Sequence, residues 1–259
     1  MSASVVFAAR DAGPVLAGAP NFRDLGGLPA AGDQRVCHGR VYRSGHLGDL
    51  ASEDVRLLER ALEKGACVLD LRGAAERERS VACALPGAVV HSLPIEPTVA
   101  ARLQAHQAAG QALTEAVALR FMEDAYCGFV RNARAQLAAF FGHLLEAGER
   151  PVVLHCAAGK DRTGFVAAML LCALEVPRAA VLEDYLLTNA RVAPREDERF
   201  PPTIARILTT VQAPFLQAAF AAIDEEFGNP QRFLQTAVGL QEQQVQRLRA
   251  LLLERARSA

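Results

Sequence analysis

A cysteine and an arginine with five residues between them stand between two apolar runs, in Val152-Val153-Leu154-His155-Cys156-Ala157-Ala158-Gly159-Lys160-Asp161-Arg162-Thr163-Gly164. Val152 to His155 reads as a short buried strand, and Phe165 to Leu174 continues as an apolar helix. A strand that turns sharply into a helix aims successive backbone N–H groups into one concavity, where the helix N-terminus adds partial positive charge. A thiol at the start of that loop should ionise readily, because such surroundings lower a cysteine pKa from about 8.5 to roughly 3.5–7.5. The concavity suits a phosphate dianion, held by Ala157, Ala158, Gly159, Lys160, Asp161 and Arg162. The planar fork of Arg162 can clamp two of its oxygens. A thiolate beneath a cradled phosphoryl group implies covalent phosphoryl transfer.

His-Cys-x5-Arg-Thr-Gly resembles the signature loop of the cysteine-dependent protein tyrosine phosphatases. The fuller HCAAGKDRTG at 155–164 is similar to the branch that includes the secreted mycobacterial and listerial tyrosine and lipid phosphatases. Cys-x5-Arg alone arises by chance, whereas ten positions between a strand and a helix are specific. A core cysteine with a solvated arginine is the alternative. Asn21-Phe22-Arg23-Asp24-Leu25-Gly26-Gly27, by itself a polar turn closed by two glycines, resembles the N-terminal motif of the same branch, and Val41-Tyr42-Arg43-Ser44-Gly45 continues that pattern. The family places this region near the active-site mouth. The resemblance therefore implies that Arg23 or Arg43 helps to hold substrate, with plain surface ion pairing the equal alternative.

The expected chemistry runs through Cys156, which attacks phosphorus in line, after which water cleaves the phosphocysteine. Arg162 and the loop N–H groups stabilise charge on the equatorial oxygens. Thr163 stands where a hydroxyl could hydrogen-bond Cys156, or cap the first helical turn. His155 orients the loop, since it directly precedes the nucleophile. The leaving group needs a proton, and the chain contains no tryptophan, so the Trp-Pro-Asp loop of the best-known tyrosine phosphatases is absent. Asp161 leads among the acids, because the mycobacterial relatives place one there. Glu96, before Pro97, sits where lipid and dual-specificity phosphatases carry theirs. Asp70, in Asp70-Leu71-Arg72 at the end of a strand, is the third, and an internal Asp70–Arg72 clasp competes with that role.

The supporting elements follow from periodicity. Ser52 offers an N-cap for a helix bearing Val55, Leu58 and Leu62, stopped by Gly65. Strands are expected at 66–69 and 88–93, an alanine- and glutamine-rich helical insertion or lid at about 97–126, and an amphipathic helix at 127–147. Beyond Pro177 there is no strand signal. Helices are expected after it and at about 203–212, 215–227, 230–238 and 240–256, and Arg195-Glu196-Asp197-Glu198-Arg199 reads as a solvated loop. Residues 1–20 suggest an extended arm. The expected architecture is a single α/β domain over 1–259. It has a mainly parallel sheet of about four or five strands flanked by helices, tyrosine-phosphatase-like, with a helical C-terminal part at about 178–256.

Composition narrows the class. A net charge of −1 gives no pull toward nucleic acid, and no run reaches the roughly 18 apolar residues of an integral membrane segment. Of 28 basic residues only Lys64 and Lys160 are lysine, so a lysine inside the phosphate loop stands out. It would suit a substrate with more than one phosphate, or pair with a nearby carboxylate. Cysteines 37, 67, 83, 127, 156 and 172 show no metal-ligand spacing and suggest mostly buried thiols in a reducing compartment. The N-terminus lacks a basic signal region, so the cytoplasm is expected, with signal-less export left open. No cofactor and no metal is called for. The expected substrate is a phosphorylated protein, foremost phosphotyrosine with phosphoserine/threonine open, or a phosphoinositide. A phosphate-binding module without turnover and a sulfurtransferase are the competing classes; the complete Cys156, Arg162 and Thr163 set argues against the first, and the x5 spacing with the following Arg-Thr-Gly disfavours the second.

Overall fold

In the computed structural model, which describes residues 15–62, 65–80, 85–194 and 197–256, the short apolar runs pair around β7 (Val152–His155). The strands before it are β1 (Arg23–Asp24), β2 (Pro29–Ala30), β3 (Gln34–Val36), β4 (Val41–Ser44), β5 (Cys67–Asp70) and β6 (Val89–Ser92), and β8 (Leu253–Arg255) follows it. The central sheet has the order β1-β4-β7-β5-β6. β4, β7, β5 and β6 run parallel, and β1 pairs antiparallel at the edge. This is the mainly parallel α/β sheet expected from sequence. Side chains alternate across it with the two-residue period of a strand. Val41, Cys67, Leu69, Val152 and Leu154 enter one core, and Tyr42, Val68 and Val153 enter another with Leu58 and Leu62.

Helices α1 (Ser52–Ala61) and α2 (Ala74–Arg79) precede β6, and α3 (Val99–Ala108), α4 (Glu115–Asn132) and α5 (Arg134–Ala147) fill the interval to β7. After it come α6 (Asp161–Ala173), α7 (Arg178–Leu186), α8 (Thr188–Arg191), α9 (Pro202–Thr209), α10 (Ala213–Phe227), α11 (Pro230–Phe233), a π-helical turn at Leu234–Val238 and α12 (Glu242–Leu252). Every residue of α6 from Arg162 to Ala173 is buried, as an all-round apolar helix must be. Among the described residues, no single helix is long and apolar enough to cross a membrane.

Several expectations are corrected. Ser52 is not an N-cap. Ala51 holds that place, and the Asp54 carboxylate accepts from the N–H groups of Ala17, Gly18 and Ala51 at 2.9, 2.9 and 3.0 Å, tying down the arm at 15–20. The division at 126/127 is also wrong. The apolar stripe Ala118, Met122, Ala125, Tyr126, Phe129 and Val130 belongs to α4, and the helical run breaks at Ala133 instead. Only α3, with Leu103 its one buried residue, has the lightly anchored character expected of the whole 97–126 stretch. The 21–27 turn contains β1 and is buried to Leu25. The last expected helix ends at Leu252, where β8 joins β3 with an Arg35–Glu254 ion pair at 2.8 Å. Three residues are too few to show an alternation. Cys67, Cys156 and Cys172 are buried, and Cys37 and Cys127 are half-buried. Lys64, Cys83, Arg195, Glu196 and residues 1–14 lie outside the described residues.

Candidate active site

The site forms where the parallel strands end. β7 delivers Cys156, 2% exposed, into a loop that closes with α6 at Asp161. Gly159 stands at φ +67°, and a Cβ there would collide with the Ser44 carbonyl, so the turn needs a glycine. The loop is held from beneath through its carbonyls. The Gly159 carbonyl accepts from Asn21 Nδ2 at 2.6 Å and Arg43 Nη2 at 3.0 Å, and the Ala157 carbonyl accepts from His46 N at 2.9 Å. With those oxygens turned inward, the backbone N–H groups of residues 157–163 donate to no acceptor among the described residues. They form the nest of donors that an anion requires.

Arg162 is 7% exposed and fixed by a partner that sequence reading missed. Glu76 on α2 takes Nη1 at 2.5 Å and Nη2 at 2.7 Å. Nη1 also reaches the carbonyls of Leu71 at 3.4 Å and Ile95 at 3.2 Å. A guanidinium has five N–H donors, so the Nε edge and the second Nη2 hydrogen keep one fork open. Burial works against ionisation of Glu76, but the hydrogen bonds and charge of Arg162 outweigh it and hold its pKa below the usual glutamate value. Burial likewise opposes the Arg162 cation, and Glu76 and Cys156 more than offset it. No signal in Ala74–Arg79 separates Glu76 from a solvated helix face.

The acid candidates part company. Asp161 is a quarter exposed, and its Oδ1 accepts from the Tyr126 hydroxyl at 3.0 Å. It borders a cavity of about 310 Å³ that Arg162, Leu103, Phe129 and Phe200 also line. The Glu96 carboxylate accepts from the Ala74 N–H at 3.0 Å, at the start of α2. Asp70 is buried in the internal clasp with Arg72, at 2.8 Å from Nη2 and 2.9 Å from the backbone N–H. Burial raises its pKa, and the Arg72 hydrogen bonds bring it below the usual aspartate value.

Other residues differ from expectation. Arg23 and Arg43 are both fully buried, so neither a surface pair nor a substrate contact describes them. They converge on Asp184 of α7 at 3.2 and 2.8 Å. Asp184 falls on the buried stripe of its helix with Ala180, Val181 and Tyr185, which is the sequence signal for a buried, partnered charge. The Lys160 ammonium lies 2.8 Å from the Leu208 carbonyl, 3.3 Å from that of Thr210 and 3.5 Å from Asp161 Oδ2, joining the loop to the end of α9. Thr163 Oγ1 is buried without a hydrogen-bond partner among the described residues, so the expected bond to Cys156 is not formed. His155 bonds the Cys156 carbonyl through Nδ1, and burial lowers its pKa to about 4. Among the described residues, no three His, Cys, Asp or Glu side chains are grouped to hold a metal ion.

The sequence model of the Tyrosine phosphatase family matches residues 14–254. The triple specificity protein phosphatase PtpB of Mycobacterium tuberculosis is 32% identical over 278 residues, covering 92% of this chain and 98% of that protein. A Cupriavidus necator protein provisionally named a tyrosine-protein phosphatase is 32% identical over 233 residues, covering 84% of this chain and 81% of that protein. Among solved structures, TpbA of P. aeruginosa covers 73% of this chain and 91% of its own at 19% identity, with a TM-score of 0.36, a likeness too distant to carry an argument.

Proposed function

The chain belongs to the tyrosine phosphatase family, and from that premise we propose that it hydrolyses phosphotyrosine in proteins through a phosphocysteine on Cys156. The substrate phosphate sits in the nest of residues 157–162, with two oxygens on the free fork of Arg162. Cys156 Sγ attacks phosphorus as the P–O bond to the leaving group breaks. That bond's electron pair stays on the leaving oxygen, which takes a proton from Asp161. In the second step Asp161 removes a proton from water, which attacks phosphorus and releases Cys156. The fixed N–H groups and Arg162 meet the charge on the equatorial oxygens without reorganising, and such prearranged donors usually contribute more to the rate than any other single effect.

The single observation that carries this reading is the set of N–H groups at 157–163 with no acceptor among the described residues, directly following a buried cysteine. Phosphoserine/threonine activity is the second reading, favoured by the triple specificity of the relative that spans 92% of the chain. A phosphoinositide is less favoured, because the Lys160 ammonium is already engaged by the carbonyls of Leu208 and Thr210. The five cysteines among the described residues are free thiols, which fits a reducing compartment.

Cys156→Ser should abolish turnover of every aryl phosphate with the fold unchanged. Asp161→Asn should lose on the order of 10²–10⁴-fold on phosphotyrosine and far less on difluoromethylumbelliferyl phosphate, whose leaving group needs no proton. Residual turnover above a few per cent in Cys156→Ser removes that residue as the nucleophile. A leaving-group-dependent defect in Glu96→Gln rather than Asp161→Asn moves the acid to the upstream loop.

A further inference from the structure

We propose that Tyr126 and Tyr185 are positioning residues for the acid, a relay of two hydroxyls that fixes which oxygen of Asp161 carries the transferable proton. The inference rests on the reading of Asp161 as the acid and deepens it. The Tyr126 hydroxyl donates to Asp161 Oδ1 at 3.0 Å and lies 2.6 Å from the Tyr185 hydroxyl. Both rings are at most 1% exposed. Tyr126 packs among Phe129 and Phe215, with ring centroids at 5.3 and 6.0 Å. Tyr185 lies over the backbone of Gly164, where a Cβ would come within 2.9 Å of its ring. The last glycine of the signature thus makes room for the second tyrosine.

A phenol has one proton to donate. That of Tyr126 goes to Asp161, so the proton in the contact between the hydroxyls belongs to Tyr185. The order is Tyr185 to Tyr126 to Asp161 Oδ1. Burial lifts both phenols well above their usual pKa, so both stay donors throughout the working range. With Oδ1 occupied as an acceptor, the proton of the carboxylic acid resides on Oδ2, the oxygen that the Tyr126 hydroxyl leaves unoccupied. The charged and titratable groups around Asp161 are the Lys160 ammonium at 3.5 Å from Oδ2, Arg162 with Glu76, the Cys156 side chain, and Arg43 beside Tyr185. Across the cavity Asp197 and Arg199 pair with each other. None of these cations replaces a donor aimed at Oδ1.

The test is Tyr126→Phe, which keeps the packed ring and removes one hydroxyl. A donated hydrogen bond favours the ionised carboxylate over the acid. Its loss should therefore move the basic limb of the kcat/KM profile to higher pH, by about one unit. With the carboxyl free to rotate, kcat on phosphotyrosine should fall about tenfold at the optimum, and less than about twofold on difluoromethylumbelliferyl phosphate. Tyr185→Phe should shift the limb the same way by less. Adding Tyr126→Phe to Asp161→Asn should cause no further leaving-group-dependent loss. An unmoved limb, or equal losses on both substrates, makes Tyr126 a packing residue only and overturns the relay while the acid stands. If Asp161→Asn itself shows no leaving-group dependence, the acid reading fails and the relay with it.

Discussion

Replacing Asp184 by asparagine tests whether the loop is built from beneath. Asp184 is 1% exposed and is the carboxylate between two guanidiniums, taking Arg23 Nε at 3.2 Å and Arg43 Nη1 at 2.8 Å. Burial and then Arg43 pull the Arg23 pKa down to about 9, and Asp184 is the group that opposes them. Removing one partner of a buried ion pair costs roughly 3–5 kcal/mol, because the remaining charge is left uncompensated. Asparagine keeps an acceptor oxygen and so recovers about 1 kcal/mol. The expected loss is then about 2–4 kcal/mol out of a total of roughly 5–15, leaving the variant folded but near its threshold. Urea unfolding at pH 7 measures it. Asp224→Asn is the control, because its pair with Arg178 is 48% and 39% exposed and should cost less than about 1 kcal/mol. The damage should also reach the anion nest, since Arg43 holds the Gly159 carbonyl at 3.0 Å. The inhibition constant for vanadate should rise on the order of tenfold, as a misplaced donor array would require. A stability loss below about 1 kcal/mol, or a full loss with vanadate binding unchanged, would refute the link from α7 through Arg43 to the loop.

Two further outcomes are expected. Glu76→Gln weakens the hold on Arg162, so kcat/KM should fall about tenfold, and equally for good and poor leaving groups because in the proposed mechanism Arg162 serves the phosphate itself. A defect confined to poor leaving groups would place Glu76 in proton transfer instead. His155 has a folded pKa of about 4, set chiefly by burial, against about 6.5 in the unfolded chain. The unfolded state therefore takes the proton first, so stability should be level above about pH 6.5, fall by about 3 kcal/mol in all down to about pH 4, and level again. His155→Asn should flatten that window in urea titrations at constant salt, and a fall that persists assigns the titration to another group.

What the sequence made legible was local. The strand, loop and helix from Val152 to Ala173 are contiguous, and their apolar runs and turn chemistry sit within one stretch of chain. The parallel core strands were visible because β5 and β7 are buried on both faces and so read as continuous apolar triplets, Cys67–Leu69 and Val152–Leu154, each followed by a polar residue. β1, β2, β3 and β8 are two or three residues long, too short for a period. α4 was cut in the wrong place because Ala118, Met122 and Ala125 gave its buried stripe little hydrophobic weight. The partners in the site were not legible for a different reason. Arg43 meets Asp184 across 141 residues, Arg162 meets Glu76 across 86, and Tyr126 meets Asp161 across 35. No spacing rule connects such pairs.

One helix shows how those distant partners are coordinated. Asp184 and Tyr185 are adjacent in α7, so their side chains leave the helix about 100° apart. Asp184 turns to Arg23 of β1 and Arg43 of β4, and the other donors of Arg43 hold the Gly159 and Lys160 carbonyls. Tyr185 turns to α6 and meets Tyr126, which holds Asp161. A shift of α7 against α6 would thus move the proposed anion nest and the proposed acid together. The contact that sets this spacing is the ring of Tyr185 on the bare backbone of Gly164, which is also 3.2 Å from Arg43 Nη2 measured from where a Cβ would stand. The glycine that closes the signature is therefore required by helix packing rather than by phosphate. The same packing explains why a motif read as a phosphate loop extends two residues past its arginine.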